Sequence, residues 1–181
     1  MARIPMTSGF QLIPEGEYVF RIYDATYDEK FGCIEIYLVN AQGMTLKERF
    51  GIMDANGEMN EKALNAFSYF AKTAMNDYSM NDIDPEELIN HYIRAEVVHN
   101  AGTKVGKNGK IPTFANLGDK SPADGFDTEP CDRAKTLCRA DRENFAAKRA
   151  ARQAAQKAPV KPAPQAAEPA QKLDIDAMFD E

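Results

Sequence analysis

Basic and aromatic side chains recur on alternate positions of three apolar runs: Arg21 and Tyr23 in EYVFRIYDA, Tyr37 in CIEIYLV, and Lys47 and Arg49 in MTLKERFGI. Arg94 holds the matching place in IRAEVVHN, and Lys104, Lys107 and Lys110 lie in the glycine-rich stretch AGTKVGKNGK. Together these residue types suit a single-stranded polyanion carrying flat rings. Lys and Arg attract the phosphates, and each unpaired base stacks on an aromatic ring for about 1–3 kcal/mol. Glycines let the loop close over a strand while its lysines hold the backbone. A plainer role is open to the same residues, because tyrosines and arginines often coat a solvated sheet face and lysines protect hairpin tips.

Catalytic patterns are absent: there is no G-x-x-x-x-G-K-[ST], no G-x-S-x-G, no H-E-x-x-H and no tight carboxylate set for a pair of metals. His91 and His99 have no Cys or carboxylate at ligand spacing. Cys33, Cys131 and Cys138 give neither a disulfide framework nor paired zinc spacing. A non-enzymatic protein with no metal or other cofactor is expected. The formal net charge of −6 over 181 residues argues against a uniformly basic nucleic-acid binder, but the charge is unevenly placed. Between 94 and 120, Arg94, Lys104, Lys107, Lys110 and Lys120 face only Glu96 and Asp119, and 129–157 holds eight further cations.

Alternation defines the elements that must position these side chains. In the first run Tyr18, Phe20 and Ile22 share one face, with Val19, Arg21 and Tyr23 on the other, the pattern of a half-buried strand. Ile34, Ile36 and Leu38 similarly oppose Glu35, Tyr37 and Val39, and 40–43 reads as a hairpin turn. In the third run Leu46, Phe50 and Ile52 share their face with the charged Glu48. Asn60 predicts an N-cap for the helix EKALNAFSYFAKTAM, while Asp84, Pro85 and Glu87 predict a short helix over 85–92. Strands four and five are IRAEVVHN and IPTFANL. Phe114 lies opposite Thr113, Ala115 and Leu117, on a face the pattern leaves open between core and surface.

Three strands, a helical connection and a two-strand hairpin predict a mainly β fold with helices. The arrangement fits a five-stranded OB-fold-like barrel with its helical connection between strands three and four, followed by a helix and a disordered acidic tail. Another small open barrel, or an antiparallel sheet backed by helices, fits the same pattern. In an OB barrel ligands lie across the exposed sheet face and the loops that here are 25–32 and 101–110.

Composition divides the chain into a nucleic-acid-binding domain over 1–120, a linker and basic Ala-rich helix over 121–157, a Pro/Ala-rich disordered linker over 158–172, and an acidic tip over 173–181. Thr128 is the expected cap of a helix over 129–157. In the tip, Leu173, Ile175, Met178 and Phe179 are set among Asp174, Asp176 and Asp180, offering apolar anchors and negative charge to a basic, apolar-lined pocket. That pocket belongs to a partner protein or to the chain's own basic face, unless the tip is simply solvated. No apolar run approaches the roughly 18–20 residues that span a bilayer, and the first residues lack a signal-peptide pattern, so no membrane association and a cytoplasmic location are expected.

The order of elements, G-E-Y at 16–18, the Lys-Gly loop between strands four and five, and the acidic apolar tip resemble phage single-stranded DNA-binding proteins. The resemblance covers roughly 10–120 and the tip. It implies an OB-fold that coats single strands during phage replication and recombination, with a tail that recruits polymerase, helicase or recombinase partners. The tip departs from the bacterial pattern, which ends on Phe, because Asp180 and Glu181 follow Phe179. A homo-oligomer is compatible with the sequence. The rival expectation is a protein-interaction adaptor whose small β-domain, linker and tail form two attachments.

Overall fold

The computed structural model describes residues 12–54, 56–105, 109 and 111–157, without the side chains of 152, 153 and 155–157. It divides into two compact units, Met1–Asn144 and Phe145–Glu181. Among the described residues five strands and three α-helices are formed: β1 (Gly16–Asp28), β2 (Cys33–Asn40), β3 (Thr45–Gly51), α1 (Glu61–Met75), β4 (Tyr92–Ala101), β5 (Thr113–Ala123), α2 (Asp132–Thr136) and α3 (Arg139–Lys157). The strands make one sheet in the order β3-β2-β1-β4-β5, each neighbour antiparallel. Among the described residues no ladder joins β3 to β5, so the sheet has two edges. No described helix is long and apolar enough to cross a membrane.

The expected helical connection stands between β3 and β4. Asn60 caps α1, its side chain accepting from Ala63 N at 3.3 Å, and Asn76 ends the helix in the left-handed conformation. The helix buries Phe67, Phe70, Ala71 and Ala74 against the inner sheet face, where Phe20, Ile22, Ile36, Leu38, Ile93 and Val97 are enclosed. Phe50 of β3 meets Phe67 edge-on at 5.6 Å, which pins the helix near that sheet edge.

Three expected boundaries shift. The helix expected over 85–92 is a 3-10 turn, Pro85–Leu88, with Asp84 Oδ1 accepting from Glu86 N. It stops early because Asn90 takes a positive φ, so that Asn90 N donates to Ile22 O and Ile22 N to His91 O. Strand β5 continues to Ala123, past the expected end at 117, which carries the domain beyond 120. Pro122 is tolerated there because β5 is an edge strand. Finally, the helix expected over 129–157 is broken into α2 and α3, with Cys131 rather than Thr128 at the first cap.

Glu48 sits on the inner face opposite Ile36, as the flawed alternation implied. Burial pushes its carboxyl above the ordinary value, an effect that the Lys120 charge partly opposes. A carboxyl whose pKa rises on folding imposes a cost that is absent below its unfolded pKa and grows as pH rises through the folded value. Glu48→Gln is therefore expected to raise Tm at neutral pH and to lose that advantage near pH ~4, as a pH series of thermal melts would show.

Candidate functional site

The expected site residues come from the outer sheet face, where strand pairing sets Arg21 opposite Val39 and Tyr92, Val19 opposite Arg94, and Tyr37 opposite Lys47. A bulge between Ile22 and Asp24 inserts Tyr23 as an extra residue. It lets Ala25 return to the core while Asp24 lies opposite Tyr37.

Much of this face is covered by the chain itself. After β5, residues 126–142 turn back across it. Phe126 stacks edge-on to Tyr92 at 5.1 Å, Cys131 N donates to Ala41 O at 2.9 Å, and Ala134 and Leu137 pack on Tyr23 and Val39. Gly43 makes the crossing possible: its φ is +80°, and a Cβ there would lie 2.8 Å from Cys131 Sγ. The break between α2 and α3 follows from the same docking. Leu137 is extended, and Asp141 reaches back to accept from Cys138 N at 3.1 Å, restarting the helix.

Several expected contacts are therefore occupied. Arg21 donates to Ala134 O at 2.9 Å, Leu137 O at 2.7 Å and Asn90 Oδ1 at 3.0 Å. Tyr23, expected to stack bases, is buried under Ala134, and its hydroxyl is pushed up to about 12 by burial, with Tyr37 and Asp24 adding to the rise. Arg94 grips both Asp127 oxygens at 2.8 and 2.7 Å and donates to Glu17 at 3.2 Å. At the centre, Asp24 is fully enclosed, hydrogen-bonded by Arg142 and with Arg139 Nε at 3.6 Å.

The half of the face nearer β3 is more open. Here Tyr37 has two cations against its ring, Lys47 Nζ at 5.2 Å and Arg142 Cζ at 4.7 Å from the centroid. Glu35 joins the group: it accepts from Lys47 Nζ at 2.6 Å and from Tyr37 Oη at 2.7 Å, with Arg49 Nε at 3.9 Å. Burial alone would raise the Glu35 carboxyl, but the hydrogen bonds from Lys47 and Tyr37 and the nearby cationic charge hold it below its ordinary value. Partial burial works against the Lys47 ammonium, yet the Glu35 and Tyr37 contacts raise it above its usual value. Arg49 also donates to Cys33 Sγ at 3.2 Å.

Lys104 is exposed in the loop between β4 and β5, while Lys107 and Lys110 lie outside the described residues. So does the entire tip, including Leu173, Asp174, Ile175, Asp176, Met178, Phe179 and Asp180. Among the exposed rings, the alternation does not single out Phe31, and it leaves Phe114 open between core and surface. Phe31 is 60% exposed in the turn after β1, with Lys30 Nζ 5.4 Å from its centroid, and Phe114 is 52% exposed beside β4. Only the polar setting DEKFG marked the first. The second needed the pairing Asn100 to Phe114, which puts it on the outer face. No group of three or more potential metal ligands occurs among the described residues, and His99 Nε2 is engaged with Ile13 O at 2.8 Å.

Comparison with protein-family models, curated proteins and solved structures finds no match.

Arg142→Ala leaves the enclosed Asp24 with Arg139 alone. Denaturant unfolding is expected to show a loss of about 3 kcal/mol, the size typical of breaking one side of a buried pair. Adding Asp24→Asn in the same chain should restore most of that loss.

Proposed function

We propose that this chain is a non-catalytic single-stranded DNA-binding protein that coats DNA during phage replication and recombination in the host cytoplasm and recruits partner proteins through 173–181. The observation that carries the reading is the grouping of Tyr37, Lys47, Arg49 and Arg142 on the β2–β3 half of the outer face. Cations held in place against an aromatic ring, on a face at the edge of a sheet, suit phosphates, with bases left to the exposed rings that flank them. The strand order, with a helix between β3 and β4 packed on the inner face, supports an OB barrel opened between β3 and β5. In that fold the strand 2–3 face and the two flanking loops take the ligand, and those loops carry Phe31 with Lys30 at one end and Lys104 with the neighbouring Phe114 at the other.

The assignment of roles follows exposure. Lys47, Arg49 and Lys104 hold phosphates, with Lys107 and Lys110 extending the loop's charge. Phe31 and Phe114 offer free ring faces for bases. Arg21 and Tyr23 instead hold the crossing segment, and Arg94 is shared between that segment and the ligand. Overall acidity does not oppose this reading, since what acts on the nucleic acid at contact is the individual Lys and Arg donors of this face rather than the net charge of the chain.

The test is fluorescence anisotropy with one labelled sequence as single-stranded DNA, as duplex and as RNA, across a salt series. Single-stranded DNA is expected to bind most tightly, with affinity falling as salt rises. Lys47→Ala with Arg49→Ala should weaken binding to every single-stranded sequence and make the salt slope shallower by about 1.4, at about 0.7 per lost phosphate contact. Phe31→Ala should cost about 1–3 kcal/mol of affinity without changing the slope. Absence of polynucleotide binding by the full chain would overturn the reading and leave the adaptor, for which capture of partner protein by the isolated tip is the corresponding measurement.

A further inference from the structure

We propose that Glu35 and Asp127 are resident anions, carboxylates that neutralise in the free protein the cations that meet the phosphodiester in the complex, Asp127 by filling the oxyanion position itself and Glu35 as a fixed counter-charge. The inference rests on the single-stranded DNA reading above and names how that site is regulated. Lys47, Arg49 and Arg94, three of the expected phosphate contacts, all face a carboxylate of the chain itself.

The geometry is that of an oxyanion site already filled. Both oxygens of Asp127 lie in the fork of Arg94, at 2.7 and 2.8 Å, the bidentate arrangement a guanidinium offers to phosphate. Glu35 has an ammonium on one oxygen and a phenol on the other, with a guanidinium 3.9 Å away. These cations are not buried: the side chains of Lys47, Arg49 and Arg94 are 43%, 54% and 33% exposed. Exposed pairs of this kind contribute little to stability, so folding alone gives weak reason for them. Their electrostatic effect on an incoming polyanion is larger, because each carboxylate cancels one cation at the point of contact and leaves one fewer counterion to release.

The carboxylates differ in how they act. Asp127 is half exposed, on the link between β5 and α2, and can turn to water when a phosphate takes its place at Arg94. Glu35 is largely enclosed and its carboxyl is held below the ordinary value, so it stays charged and acts as a fixed counter-charge that weakens the grip of Lys47 and Arg49. The result is a face that binds a single strand loosely enough to release it.

The decisive experiment measures anisotropy of a fluorescein-labelled oligothymidylate with the full-length chain, its Glu35→Gln and Asp127→Asn variants, and Glu61→Gln as a control. Glu61 is exposed at the start of α1, which packs on the opposite sheet face, so it gives the same charge change away from the site. Thermal melts establish that each variant is folded. Both site variants are expected to bind about three- to tenfold more tightly at low salt, with a salt slope steeper by about 0.7, while the control shifts less than twofold. Equal tightening by all three, or site variants that bind no better than the unmodified chain, would overturn the inference. Unmodified chain that binds well with unshifted variants defeats the resident anions alone. Unmodified chain with no salt-dependent binding defeats the DNA reading and this inference with it.

Discussion

Asp24 lies at the centre of the outer sheet face with no exposure to water, and the guanidinium that answers it comes from 118 positions later in the chain. A carboxylate enclosed in this way is costly unless its charge is met by a partner with hydrogen-bonding reach. Arg142 supplies the bond, and Arg139 lies beside it while also binding Glu86 at 2.6 Å. The rest of the outer face is arranged so that these arginines arrive. Strand β5 runs on to Ala123, Phe126 lands on Tyr92, Cys131 hydrogen-bonds the turn after β2, and the helix breaks at Leu137 so that α3 begins over Asp24. One buried acid thus ties the segment after the sheet to the first strand of the fold, and makes 126–142 part of the domain rather than a linker.

The sheet and α1 were legible because their signals are local. Alternation of Tyr18, Phe20 and Ile22, or of Ile34, Ile36 and Leu38, needs no tertiary partner to be recognised, and an Asn before an acidic, alanine-containing run marks a helix start wherever it occurs. The covered half of the site was not legible, for a physical reason that Tyr23 illustrates. Simple alternation places it outward beside Arg21, and it is outward, but whether an outward tyrosine meets solvent depends on Ala134, a residue whose sequence context looks like an ordinary solvated helix. A single alanine does not announce a docking face, yet the small side chain of Ala134 is what allows α2 to lie close on Tyr23 and Val39. The alternation leaves Phe114 open for a different reason. A period-two pattern separates two faces of a strand without saying which of them the helix will cover.

Charge on this face is balanced almost residue by residue. Lys47 and Arg49 meet Glu35, Arg94 meets Glu17 and Asp127, and Arg139 and Arg142 meet Asp24. A large single-sign patch is therefore absent from the described face, and long-range attraction is correspondingly modest. Close range is different. Arg and Lys donors already held in place lose little freedom when a phosphate replaces a carboxylate, so ordering has been met by the fold before any ligand arrives. On the proposed reading, this is how an acidic chain binds a polyanion: not by net charge but through donors already held in place by the carboxylates beside them.

The same view assigns the two free rings a task the centre cannot perform. Phe31 follows the end of β1, and Phe114 lies beyond its beginning, since Gly16 pairs with Val97 and Phe114 with Asn100 further along β4. The 13 residues of β1 alone extend about 43 Å at ~3.3 Å per residue, so a single strand touching both rings must cross the middle of the sheet. In that middle the tyrosine rings are committed, Tyr23 to Ala134 and Tyr37 to its two cations, and few ring faces are left for bases. What the middle does offer is donors for phosphate, Lys47 and Arg49 beside the fixed Glu35 on one side and the exchangeable anion position at Arg94 on the other. On the proposed reading stacking falls to the ends and phosphate contact to the middle, because the segment that answers the enclosed Asp24 covers the rings at the centre of the outer face.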